Sequence, residues 1–125
     1  MHLIRCVVVG QPAPKKILLV CYRTDAGTQP VRDWLKGLTP EERKAVGGDL
    51  MRAQWRWPIG MPLCRPMGQG LWEVRSRLPG NRIARVLFFD HAGELMAVHG
   101  FIKKTQKTSP DDLALAKKRM EEVQR

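Results

Sequence analysis

In the second half of the chain, apolar and polar side chains alternate. From Leu71 to Leu78, Trp72, Val74, Ser76 and Leu78 fall on one side and Glu73, Arg75 and Arg77 on the other. This is the period-two signature of a strand. Pro79-Gly80-Asn81 is a turn sequence. Arg82 to Asp90 (RIARVLFFD) gives a second strand, with Val86 and Phe88 on one face and Ile83, Arg85, Leu87 and Phe89 on the other. Both faces are largely apolar, so this strand is expected at the centre of a sheet. After a second turn at His91-Ala92-Gly93, Leu95 to Phe101 completes an antiparallel meander.

Upstream, the period changes. Ile17 to Tyr22 (ILLVCY) is a short continuous apolar run, expected to be a buried strand. Pro30 to Leu38 places Val31, Trp34, Leu35 and Leu38 at helical spacing, with Pro30 at the first helical position. Thr39-Pro40-Glu41-Glu42 reads as a capping box that opens a second helix. Its apolar stripe runs through Val46, Leu50, Ala53 and Trp57, and Pro58 limits its end. With so short a link the two helices are expected to form an antiparallel hairpin. The stretch 59–70 is rich in Gly and Pro and is expected to be an irregular connection. Ser109-Pro110-Asp111-Asp112 opens a last helix with a narrow stripe of Leu113, Ala116, Met120 and Val123.

The resulting fold class is α+β: a small, mostly antiparallel sheet with an N-terminal helical hairpin and a C-terminal helix, the helices gathered on one side. The 125 residues are expected to form one domain. Residues 1–15 are an extra N-terminal segment, in which Cys6 to Val9 suits a short strand before Gly10, Pro12 and Pro14.

Charge narrows the function. The net charge is +10, with 22 Lys and Arg against 12 Asp and Glu. Such an excess favours an anionic partner, nucleic acid first. Cys6, Cys21 and Cys64 are odd in number and widely spaced, and His2, His91 and His99 lack metal-ligand spacing. Free thiols and no metal cofactor are therefore expected. No run approaches the roughly 18 apolar residues of a membrane helix, and a cytoplasmic location is expected. Trp34, Trp55, Trp57 and Trp72 suit core packing, with base stacking the alternative for Trp55 or Trp57.

The basic residues concentrate between Arg65 and Lys107, where Arg75, Arg77, Arg82, Arg85, Lys103 and Lys104 also lie. Arg85 interrupts an apolar strand, so it either pairs with a carboxylate, Glu73 being nearest in pattern, or faces a site. Arginine forks and lysine charges suit phosphate. RNA cleavage needs a base for the 2′-hydroxyl proton, cations for the charge on phosphorus and an acid for the leaving oxygen. Glu73 is a candidate base or merely the partner of Arg75 or Arg85. Arg75, Arg85 and Lys103 are candidate charge stabilisers, and His99 is a candidate proton carrier or a structural histidine.

The segments GLWEVR (70–75), RIARVLFF (82–89) and HGFIKKTQKTSPDDLALAKKRMEE (99–122), with PVRDWLKGLTPEER upstream, resemble the RelE/ParE toxin superfamily in its HigB-type, phage-associated host-inhibition branch. The resemblance spans roughly residues 16 to 123. It implies a microbial-RNase-like fold and the toxin half of a type II toxin–antitoxin pair. It further implies ribosome-dependent, metal-independent endoribonuclease action on mRNA, and a helix-turn-helix, HigA-type antitoxin as partner. On this resemblance Arg75, Arg85, Lys103 and Lys104 match basic positions that meet the RNA, and Arg77, Arg82 and Lys107 would extend that surface. A tyrosine or histidine that often follows the last strand in RelE-type ribonucleases has no counterpart here. The alternatives are a ParE-type gyrase poison and a non-catalytic nucleic-acid-binding protein.

Overall fold

The computed structural model describes residues 16–104 and 107–125. The proposed strand at Cys6 to Val9 lies outside the described residues. Five strands and three helices follow in the order β1 (Leu19–Cys21), α1 (Pro30–Lys36), α2 (Pro40–Arg56), β2 (Cys64–Gly68), β3 (Leu71–Leu78), β4 (Arg82–His91), β5 (Glu94–Lys103) and α3 (Pro110–Gln124). The sheet order is β1-β5-β4-β3-β2. Among the described residues, the β1–β5 pairing alone is parallel, and the meander β3-β4-β5 is antiparallel. The α+β class read from the sequence is the observed one.

Local chemistry accounts for the elements. Thr39 and Glu42 form the reciprocal capping box at the start of α2: the Glu42 amide donates to Thr39 Oγ1 at 3.2 Å and the Thr39 amide to Glu42 Oε1 at 3.0 Å. Gly80 and Asn81 both take positive φ in the three-residue connection between β3 and β4, a left-handed backbone that glycine and asparagine adopt more readily than other residues. β4 is central and its residues 84–89 are all buried.

Three expectations need correction. The 59–70 connection contains a strand, β2, paired antiparallel to β3. Its Pro66 hid it, but an edge strand tolerates a residue that cannot donate to a ladder. The run at 17–22 yields only a three-residue edge strand of intermediate burial, not a buried one. The helices also do not share one side. Val74, Val86, Phe88, Leu95 and Ala97 pack with Val31 of α1 and Val46, Leu50 and Ala53 of α2. Leu71, Leu87, Phe89, Val98 and Phe101 pack with Ala116 and Met120 of α3. Alternate residues of β4 thus serve opposite layers, with the sheet between them.

A bulge decides what lies on the α3 face. The β4–β5 register runs Phe88↔Ala97 and then Leu87↔His99, which leaves Val98 as an extra residue. Its carbonyl accepts from Arg119 Nη1 of α3 at 2.8 Å. Without that extra residue, His99, Phe101 and Lys103 would turn to the opposite face. With it, they join Leu87, Arg85 and Ile83 on the α3 side.

Candidate functional site

The α3 face is divided. Near one end of β3 it is apolar and covered by α3. Further along it becomes basic, row by row across the strands. One row is Arg65, Glu73, Leu87 and His99; the next is Arg75, Arg85 and Phe101; the last is Arg77, Ile83 and Lys103. The topology therefore brings together Glu73, Arg75, Arg77, Arg85, His99 and Lys103.

Burial sorts them. Glu73 and Arg85 are both 0% exposed, while the side chains of Arg75 and Lys103 keep 18% and 38% of their surface. Thr108, after β5, bridges the enclosed pair: its hydroxyl donates to Glu73 Oε2 and accepts from Arg85 Nη1 at 3.3 Å. Glu73 Oε1 lies 3.7 Å from Arg75 Nε. Burial pulls the Arg85 guanidinium below its ordinary pKa, and the charge of Glu73 opposes that pull. An arginine nevertheless stays cationic in a protein.

A second cluster joins the sheet to α3. Asp112 Oδ1 lies 2.7 Å from His99 Nε2, and Asp112 Oδ2 accepts from Lys103 Nζ at 2.6 Å and from Ser109 Oγ at 2.6 Å. Burial pushes the Asp112 carboxyl up, but these hydrogen bonds outweigh it and bring the pKa down to about 2. Asp112 is thus an anion at neutral pH, and His99 Nε2 carries the proton it shares with it. Phe101 forms the floor between the clusters. Its ring stacks on His99 at 5.2 Å and lies 5.4 Å from Lys103 Nζ and 6.0 Å from the Arg85 guanidinium.

Three of the expected residues stand apart. Arg82 is on the other face of β4, where Nη1 donates to Glu42 Oε2 at 2.6 Å and Nε to the Pro79 carbonyl at 3.0 Å. Lys104 and Lys107 are exposed beyond β5. Thr108 and Asp112 are the residues that the sequence reading did not assign to the site. Asp112 reads there as a capping acid. In the structure its amide does bond Ser109 Oγ, at 3.2 Å, but its carboxylate is turned to His99 and Lys103.

The matched segment of a family model covers this whole arrangement. The model, described as Phage derived protein Gp49-like (DUF891), matches residues 33–121, from α1 to the body of α3. The chain belongs to the Gp49-like family of phage-derived proteins. That family is associated with RelE and toxin-like proteins. No curated protein matches the chain.

The Gp49-like chain places three of its tryptophans in packing. Trp57 meets Trp72 and Phe88 edge-on at 5.1 and 5.2 Å, and Trp34 lies on Gly100. Trp55 is 54% exposed on α2. Among the described residues, no three His, Cys, Asp or Glu side chains gather closely enough to hold a metal ion. Cys21 and Cys64 are free, and burial pushes the Cys64 thiol up to about 11. No helix among the described residues is long and apolar enough to cross a membrane.

Proposed function

We propose that this Gp49-like protein is a HigB-type toxin of a type II toxin–antitoxin pair that cleaves mRNA on the ribosome without a metal ion. The observation that carries the reading is the pairing of a histidine–carboxylate dyad with cations on one face, Phe101 lying between. In the proposed reaction the 2′-oxygen attacks phosphorus in line, and the bond to the 5′-oxygen breaks. The products are a 2′,3′-cyclic phosphate and a 5′-hydroxyl.

Asp112 fixes the Nε2–H of His99, which leaves Nδ1 to take the 2′-proton. The Lys103 ammonium donates to the departing oxygen, and Arg75 stabilises the charge gathering on phosphorus. Arg77, Lys104 and Lys107 hold the flanking phosphates. Glu73 and Arg85, enclosed beneath, act through Arg75 and Thr108 and not as the groups that touch RNA. The partner is a helix-turn-helix antitoxin, and the site of action is the cytoplasm.

Purified protein added to ribosomes translating a defined mRNA tests this. The expected result is a cut within the A-site codon, mapped by primer extension, and far less cutting of naked mRNA. Intact mRNA together with blocked gyrase supercoiling would overturn it in favour of the ParE-type reading.

A further inference from the structure

The basic face does not end at the edge of β3. β2 pairs with β3 only as far as Cys64↔Val74, and the segment before β2 then runs beside Arg75, whose amide meets the Leu63 carbonyl at 3.5 Å. Between this segment, β3 and the last turns of α2 lies a groove. Arg52 and Arg56 form its α2 wall, Arg75 and Arg77 its β3 wall, and Ile59 and Leu63 its floor. One carboxylate, Asp49, lies in it and is ion-paired to Arg52. A second cleft shares Arg75 and Arg77 and adds Met61 and Ile83, and a third continues from Arg77 and Ile83 to Asn81 and Lys104. Arg77 borders all three clefts, which follow one another along β3 and are together referred to as the channel.

We infer that this channel holds the phosphate backbone of a single RNA strand leading to the site on the α3 face, with Arg52 and Arg56 as phosphate-binding residues. The inference deepens the ribonuclease reading and rests on it for the identity of the polymer. Three features favour a nucleic-acid strand. The groove beside α2 carries four arginines against one already paired carboxylate. Its apolar floor gives bases a surface out of water, with Met61, 60% exposed, beside it. It is also continuous with the site through Arg75, which borders both. Arginine at alternate positions of a strand, as at 75 and 77, sets cations along the edge with a regular repeat, as a polyanion requires.

The test is binding of a short fluorescein-labelled single-stranded RNA with 2′-O-methyl groups, which prevent cleavage, followed by anisotropy over a range of salt. Arg52→Ala with Arg56→Ala removes two channel cations, and the Arg52 side chain is 58% exposed, so the fold is retained and checked by circular dichroism. The expected result is several-fold weaker binding and a salt slope shallower by about 1.4, since each phosphate contact with a single strand contributes roughly 0.7. Lys117→Ala with Lys118→Ala removes the same charge from α3 and is expected to keep the wild-type slope.

A wild-type protein that does not bind the RNA overturns the inference, as does a double variant with an unchanged slope. If that variant instead loses affinity for the antitoxin, the channel belongs to an acidic protein segment. Ribosomal mRNA cleavage is scored separately. A changed slope without cleavage keeps the channel and removes the ribonuclease reading. Cleavage with an unchanged slope does the reverse.

Discussion

Arg75 and Arg85 are direct cross-strand partners on the face shared by β3 and β4. Like charges at such positions repel. The enclosed Glu73, two residues along from Arg75, supplies the compensating charge, and Thr108 links it to Arg85. Breaking a buried charge set by removing one member costs about 3–5 kcal/mol. Glu73→Gln is therefore expected to destabilise the protein by about that amount, measured by urea unfolding. Glu73→Leu combined with Arg85→Met removes both enclosed charges and is expected to recover most of the loss. A double variant as unstable as Glu73→Gln alone would show that Glu73 does not act through Arg85.

Asp112 gives the stability a pH dependence. Its pKa is about 2 in the folded chain against an ordinary 3.8. Between those values the unfolded chain binds more protons, so stability rises with pH there. The contribution is complete above about pH 4 and is lost as the pH falls toward 2. The difference in unfolding midpoint between wild type and Asp112→Asn is expected to be largest above pH 4 and to shrink as the solution is acidified toward pH 2. A difference that stays constant from pH 5 to pH 2 would contradict this.

The meander, both capped helix starts and the α+β class were legible because each depends on local chemistry: period-two alternation, a Thr–Glu capping box and turn sequences such as Pro79-Gly80-Asn81. β2 was not, since an edge strand with Pro66 has no alternating signature. The composition of the site face was only half legible. The alternation assigns Glu73 and Arg75 to one face, and Arg85 stands out in an apolar strand. The bulge at Val98 has no local signal, yet it decides that His99 and Lys103 share that face. The role of Asp112 depends on where α3 docks, a tertiary fact that its N-cap position cannot convey. The family match adds membership in the Gp49-like family.

Gly100 shows how closely α1 seats on β5. A Cβ built there would lie 2.5 Å from Trp34 Cε3 and 2.7 Å from Cζ3. An indole ring cannot yield as a flexible chain end would, so α1 must shift. Gly100→Ala is expected to cost about 1–3 kcal/mol, as overpacking in a close-packed core does, read by thermal or urea unfolding. Adding Trp34→Leu, which removes the obstructing ring, is expected to make the Gly100→Ala step cost less than it does in the wild type. Equal costs in the two backgrounds would show that the steric conflict is not with Trp34.

Lys103 and Arg82 are both basic residues of the meander, but the structure gives them opposite surroundings. Lys103 faces α3 and binds Asp112 beside His99, whereas Arg82 faces α2 and binds Glu42. The bonds that hold Glu42, first from the Thr39 backbone and then from Arg82, lower its carboxyl pKa. Arg82 therefore braces the start of α2 from a distance. Under the proposed mechanism, Lys103→Ala is expected to lower single-turnover cleavage on the ribosome about 10²- to 10⁴-fold, the scale for losing a general acid, with at most a modest drop in unfolding midpoint from the lost bond to Asp112. Arg82→Ala is expected to leave cleavage close to wild type and to lower the midpoint modestly. Both variants are compared on the same ribosome complex, with unfolding followed in parallel. If cleavage falls with Arg82→Ala and survives Lys103→Ala, the reaction takes place on the α2 side of the sheet and the assignment of the α3 face is wrong.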